Sequence, residues 1–162
     1  MASEIKVDTI VNAGGDNDTG IDLATNDQIL LKVANATKLT MNSTGQTTIV
    51  GEGGTTTTSV QQGLAKVWTN FNGTGTIAIR DSFNTSSLTD NSTGYHIVNI
   101  NNDMSNDDYS ATQSTESETG NIAAIVAEST TLTGSFGFYV YTHAGSLDDS
   151  NINTVTIHGD LA

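Results

Sequence analysis

The side chains best suited to chemistry are few and lie at scattered positions. Three histidines, His96, His143 and His158, and a single tryptophan, Trp68, stand out in a chain that has no cysteine. Serine, histidine and aspartate all occur, but no Gly-x-Ser-x-Gly sequence surrounds a candidate nucleophile. The absence of cysteine excludes disulfide bonds and thiolate metal sites. We therefore predict no catalytic residue and no enzyme activity.

Aromatic residues supply the candidate ligand-binding positions. Tyr139, Tyr141 and His143 alternate along one predicted strand, so their side chains share a face. This face could bind a glycan or a neighbouring subunit, because tyrosine combines an apolar ring with a polar hydroxyl group. Trp68 could stack on a sugar ring, or it could seal the domain or a seam between subunits. These four residues form the predicted ligand-binding set.

One acidic loop carries oxygen ligands at a spacing typical of calcium sites. Asp16, Asp18 and Asp22 are the candidate ligands within residues 16–22. The loop departs from the EF-hand pattern, because Ile21 stands where that pattern requires glycine. A structural calcium site and an ordinary polar turn both stay open, and no other cofactor is predicted. The three histidines could form a metal ring around a threefold axis, or they could be unrelated imidazoles.

The composition and the charge distribution limit the classes of partner. Apolar residues make up 35% of the chain, which has 18 acidic and 5 basic residues and a net charge of −13. Residues 81–162 contain 11 acidic residues and no lysine or arginine. Nucleic acid and anionic membrane are disfavoured partners, because phosphate neutralisation requires basic side chains. No apolar run approaches the roughly 18 residues of a membrane span, and the opening residues lack a signal-peptide pattern.

Short alternating runs of threonine, valine, isoleucine and aromatic residues predict an all-β fold. Residues 66–162 are predicted to form an antiparallel β-sandwich tip domain, with turn signals between the runs. The alternation is clearest where Phe136, Phe138 and Val140 share one face. The strand candidates of this domain are Lys66–Phe71, Thr74–Arg80, Tyr95–Asn101, Tyr109–Gln113, Asn121–Glu128, Ser135–Thr142 and Asn151–His158.

Residues 1–50 have too few large apolar side chains for a core of their own. A two- or three-stranded ribbon is marginally stable alone, and its unpaired edges favour association. We therefore predict that residues 1–50 intertwine with two further copies to form a homotrimer, and that residues 51–65 form a linker. The strand candidates of the first segment are Ile5–Val11, Gln28–Ala34, Lys38–Met41 and Thr47–Val50.

Four stretches of the sequence are more specific than general β-strand sequence: residues 3–10 (Ser-Glu-Ile-Lys-Val-Asp-Thr-Ile), residues 30–45, residues 65–84 with their Lys-Val-Trp-Thr-Asn-Phe-Asn-Gly motif, and residues 89–95. Together they resemble the tail-fibre-like and other virion structural proteins of marine tailed bacteriophages. The resemblance implies a trimeric, β-rich appendage of the virus particle. It also implies a distal domain that contacts the host surface, and it transfers no catalytic residue.

The expected function is therefore that of a phage virion structural protein, made in the host cytoplasm and assembled into the particle. Residues 1–50 are expected to attach to other virion proteins of the capsid or tail and to trimerise. The tip domain is expected to bind a host-surface glycan. The alternatives are a capsid-decoration or head-fibre protein without a specific receptor and, third, a polysaccharide-degrading spike.

Overall fold

The computed structural model describes residues 7–11, 19–24, 27–51, 53–116 and 120–162. This part of the chain is almost entirely β, and every sheet in it is antiparallel. Its longest helix is a single turn, α1, over Val60–Gly63. The chain divides into two compact units, Met1–Gly63 and Leu64–Ala162. The predicted all-β character is confirmed.

The first unit is one six-stranded sheet in which each strand pairs with the next along the chain. Ala34 and Asn35 connect β3 to β4 with φ angles of 52° and 57°. Two successive residues at positive φ are typical of the type I′ turn, whose twist matches that of paired strands. The strands are β1 Thr9–Val11, β2 Gly20–Asp22, β3 Ile29–Val33, β4 Ala36–Met41, β5 Thr47–Val50 and β6 Thr57–Ser59.

The second unit contains two four-stranded antiparallel sheets. The first sheet has the strand order β12-β13-β10-β9, and the second has the order β11-β14-β7-β8. The strands are β7 Val67–Asn72, β8 Ala78–Phe83, β9 Thr85–Ser92, β10 Tyr95–Ile100, β11 Ser110–Thr115, β12 Asn121–Val126, β13 Ser135–Thr142 and β14 Asn153–His158. A 3-10 turn over Glu128–Thr130 lies between β12 and β13.

Both sheets of the second unit contribute to one hydrophobic core. Alternate residues of each central strand are buried, as the period of two in a strand requires. The predicted face of Phe136, Phe138 and Val140 is confirmed, since all three are buried. The core consists of Val67, Phe71, Val98, Ile100, Met104, Phe136, Phe138, Val140, Val155 and Ile157.

Three strands are absent from the sequence-based predictions. They are β2, β6 and β9, and all three are rich in polar or small residues. β6 and α1 lie within residues 51–65, the stretch predicted as a linker, and β6 pairs with β5. β8 begins four residues later than the predicted strand that starts at Thr74. Pairing with a neighbour, rather than side-chain pattern, decides these elements.

Tyr109 directly precedes β11, and its side chain is hydrogen-bonded to the start of β13 and the turn before it. This contact predicts a dependence of stability on pH. The Tyr109 hydroxyl group donates to the carbonyl oxygens of Ser135, at 2.7 Å, and Leu132, at 3.2 Å. Burial, together with the charge of Asp107, raises the pKa of Tyr109 to about 12. The unfolded chain has a tyrosine pKa of about 10. The neutral hydroxyl group therefore stabilises the fold fully below about pH 10, and this stabilisation is lost as the pH rises towards about 12.

We expect the substitution Tyr109→Phe to remove this alkaline loss of stability. Urea unfolding at pH 8 should show the unmodified chain to be the more stable of the two. At pH 11 the difference in unfolding free energy between the two chains should be smaller. Only the unmodified chain loses stability as the pH rises, because its Tyr109 ionises more readily in the unfolded state than in the folded state. A difference that stays constant between the two pH values would contradict the role given to Tyr109.

Candidate functional site

The structure places Trp68 on the outward side of the sheet that contains β7. Its neighbours in the sequence, Val67 and Thr69, are buried, whereas Trp68 is 37% exposed. Trp68 pairs with Phe83 of β8, which is 53% exposed. Cross-strand partners share a face, so the two aromatic rings form one exposed apolar surface. This arrangement suits a stacking ligand or another protein surface.

Tyr139 and Tyr141 lie on the outward side of the other sheet. The ring centroids of Tyr139 and its cross-strand partner Tyr95 are 4.4 Å apart, and those of Tyr139 and Tyr141 are 6.3 Å apart. Desolvation, together with the neighbouring Tyr95, raises the pKa of Tyr139. His143 follows the end of β13 and is exposed. The structure thus keeps the tyrosine face as predicted.

The four predicted ligand-binding residues do not form a single site. Trp68 belongs to the β11-β14-β7-β8 sheet, and the two tyrosines belong to the β12-β13-β10-β9 sheet. Both sets point away from the core that the sheets share, because their strand neighbours are the buried residues. Two separate aromatic surfaces are therefore available on the second unit.

The predicted calcium loop is described only at its end. Asp16 and Asp18 lie outside the described residues. Asp22 ends β2, and its carboxylate accepts a hydrogen bond from the Lys32 ammonium group at 2.5 Å and another from the Ala24 backbone at 2.9 Å. The contact with Lys32 lowers the pKa of Asp22 below its usual value. A lysine partner therefore occupies one Asp22 oxygen.

Among the described residues, a cluster of potential metal ligands lies in the second unit. Asp90, His96 and Asp149 each offer one ligand atom, and these atoms lie within 4.8 Å of one another. Asp90 and His96 are cross-strand partners in β9 and β10, next to a register shift at Tyr95. Asp149 lies between β13 and β14, where its carboxylate accepts the Gly94 backbone N–H at 2.7 Å.

His96 is the buried member of this cluster. It is 0% exposed, and the rings of Phe71 and Phe138 approach it edge-on at centroid distances of 5.5 and 6.0 Å. Burial lowers the pKa of His96, although Asp149 and Asp90 act in the opposite direction. Burial therefore favours the neutral imidazole, which is the form that binds metal ions. The cluster was not predicted from the sequence, although alternation within the predicted strand Tyr95–Asn101 places His96, Val98 and Ile100 on one face.

A row of apolar side chains crosses the sheet of the first unit. The cross-strand partners Ile10, Ile21, Leu31, Leu39 and Ile49 follow one another from β1 to β5, and we call them the apolar row. Ile10 is 53% exposed, and Leu31 and Ile49 are each 38% exposed. No described residue of the first unit is fully buried. The row is therefore apolar surface that the single chain leaves partly in contact with water.

Comparison of the chain with protein-family models, with curated proteins and with solved structures finds no match. The fold alone defines the class, an all-β protein built from antiparallel sheets. No helix among the described residues has the length and apolar character needed to span a membrane.

Proposed function

We propose that this chain is a structural protein of a tailed-phage virion that forms a short homotrimeric surface fibre. The first unit trimerises and attaches to the particle. The second unit is a β-sandwich tip that projects outward and adheres to a host-surface glycan. The protein works mechanically, needs no cofactor and catalyses no reaction.

The apolar row is the observation that carries this proposal. Burying apolar surface contributes roughly 25 cal/mol per Å², so a sheet with no buried side chain gains little stability from its own packing. A single-layer sheet needs a second layer to cover its apolar face. The same row on neighbouring copies is a self-complementary cover, because every chain presents it. The resemblance to trimeric fibre proteins makes three the expected number of copies.

The edges of the first sheet support association in the same way. β1 and β6 are its outermost strands. An outermost strand presents backbone groups that can pair with another chain. Neither strand contains proline or lysine, the residues that commonly protect sheet edges from such pairing. Intertwining of three chains would pair these edges as well as cover the apolar row.

One of the two aromatic surfaces of the tip is the proposed adhesion site. Three tips on each fibre, repeated over the particle, would convert weak individual contacts into strong attachment through avidity. Weak individual contacts fit open, outward-facing sheet surfaces better than they fit an enclosed pocket. Tyr139 and Tyr141 form the leading surface, because their two neighbouring rings combine apolar faces with hydroxyl groups.

We expect the double substitution of Tyr139 and Tyr141 by alanine to abolish adhesion of the trimer to host cells or immobilised host polysaccharide. The substitution Trp68→Ala is the matched control, because it removes an outward-facing aromatic ring from the opposite sheet. Bound protein can be measured by surface plasmon resonance on the polysaccharide. Loss of binding only in the Trp68→Ala variant would show that the adhesion site lies on the sheet that contains Trp68. Absence of binding by the unmodified chain would refute the adhesion proposal.

Labelling of intact virus particles tests where on the particle the protein is located. Antibody fragments raised against the second unit should decorate short projections when particles are imaged by cryo-electron microscopy. Label spread evenly over the capsid, combined with a failure of the purified chain to block infection, would favour the decoration protein. Release of oligosaccharides from host polysaccharide would favour the degrading spike. Absence of label from the particle would refute a virion role.

A further inference from the structure

The Asp90, His96 and Asp149 cluster has no part in the proposed fibre function. It joins two neighbouring strands of one sheet to the segment between β13 and β14. The Asp90 carboxylate lies 3.9 Å from Nδ1 of His96, and the Asp149 carboxylate lies 3.7 Å from Nε2. Both distances exceed the roughly 3.2 Å limit of a good hydrogen bond. The two carboxylates therefore flank the ring without bonding to it.

His96 is a buried polar group whose bonding capacity is unused. Neither ring nitrogen has a hydrogen-bond partner in the described part of the chain. A buried polar group without a partner costs roughly 1–3 kcal/mol, so such groups call for a specific explanation. The ring nitrogens face carboxylates that are 38% and 29% exposed. The cluster thus combines a buried nitrogen ligand with two oxygen ligands that are partly exposed to solvent.

We propose that Asp90, His96 and Asp149 bind one divalent transition-metal ion of the zinc class. One imidazole nitrogen and two carboxylate oxygens form a mixed donor set, and imidazole favours zinc over calcium or magnesium. Zinc bonds of about 2.0–2.2 Å in tetrahedral geometry place adjacent donors roughly 3.3–3.6 Å apart. The three donor atoms lie within 4.8 Å of one another, so they would have to close by up to about 1.5 Å around the ion, through rotation of the two partly exposed carboxylates. Solvent would complete the coordination.

The backbone around the cluster holds the ligands close to these positions. Gly94 lies in the β9–β10 turn with φ of 66°, and its N–H fixes the Asp149 carboxylate. A methyl group at Gly94 would come within 2.7 Å of the Asp148 backbone. At Gly73, a methyl group would lie 2.8 Å from Nε2 of His96. A larger residue at position 73 would therefore crowd the ring nitrogen that faces Asp149.

Zinc titration of the full chain tests the site. We expect one equivalent of zinc to raise the unfolding temperature, because an ion that binds only the folded state stabilises it. The ring signals of His96 in the NMR spectrum should shift, while those of His143 and His158 serve as internal references. The substitution Asp90→Asn should weaken zinc binding by roughly tenfold or more, measured by calorimetry. Magnesium should produce no comparable shift.

The substitution Asp107→Asn is the matched control. It removes the same charge from an exposed position outside the cluster, and it should leave zinc affinity unchanged. This control is needed because a chain with a net charge of −13 attracts cations in general. Equal weakening by both substitutions, or unshifted His96 signals in the unmodified chain at saturating zinc, would overturn the proposal. The NMR measurement uses the unmodified chain, so it tests zinc binding at His96 even if the Asp90→Asn variant does not fold.

Discussion

The substitution Phe138→Ala should lower the free energy of unfolding by roughly 3–5 kcal/mol, the usual cost of emptying a buried aromatic position. Phe138 is 0% exposed and lies at the centre of the aromatic packing in the second unit. Its ring centroid is about equally distant from those of Phe136 and Phe71, at 6.1 Å each, and from that of His96, at 6.0 Å. Removal of the ring therefore leaves a cavity that three neighbours must line.

Urea unfolding followed by Trp68 fluorescence measures this effect, because the only tryptophan of the chain lies in the second unit. Phe83→Ala is the matched control, since it makes the same chemical change at a side chain that is 53% exposed. We expect the control to cost less than about 1 kcal/mol, as is usual for surface positions. Equal losses at Phe138 and Phe83 would contradict the assignment of the core.

The substitution Leu31→Asp should convert the assembled protein into single chains. Leu31 is the middle member of the apolar row, with Ile21 and Leu39 as its cross-strand partners. In a trimer the change would bury three unpaired carboxylates close to one another. Burial of each would cost several kcal/mol, and their mutual repulsion would add to this. Sedimentation velocity at micromolar concentration measures the loss of the assembled species.

A matched control for Leu31→Asp lies on the opposite face of the same sheet. Thr40 is the cross-strand partner of Leu30, so its side chain points away from the apolar row. Thr40→Asp adds the same charge but should leave the assembled species intact. Dissociation by both variants would point to charge repulsion in general, and dissociation by neither would exclude the apolar row as the interface.

Strands with strong side-chain alternation could be predicted from the sequence. In β13, the large apolar residues Phe136, Phe138 and Val140 are buried, and Tyr139 and Tyr141 face outward. The position of His96 beside Val98 and Ile100 in β10 follows from the same period of two. These predictions succeed because burial of large apolar side chains dominates the energetics of central strands.

Strands that form because they hydrogen-bond to a neighbouring strand, and not because of their side-chain pattern, could not be predicted in this way. β9, over Thr85–Ser92, consists mainly of polar residues and owes its conformation to its ladder with β10. The Asp90–His96 contact also depends on the register shift next to Tyr95, which no side-chain pattern specifies. Asp149 comes from the segment between β13 and β14, where its carboxylate accepts the Gly94 N–H. Long-range pairing of this kind is set by the whole fold.

The separation of the aromatic residues has the same origin. Trp68 and Tyr139 occupy different sheets because β7 pairs with β14, whereas β13 pairs with β10 and β12. Sequence spacing shows which residues share a strand face, but it does not show which strands share a sheet. Trp68 and the tyrosines could therefore be selected from the sequence as candidate ligand-binding residues, but they could not be assigned to two separate surfaces.

The mass of the unmodified full chain in solution tests the fibre proposal most directly. Native mass spectrometry or light scattering at micromolar concentration should give the mass of three chains, and this species should persist on dilution. The apolar row would then be covered by copies of itself. A stable species with the mass of one chain would contradict the proposal, because the first unit would keep its apolar surface exposed without any partner.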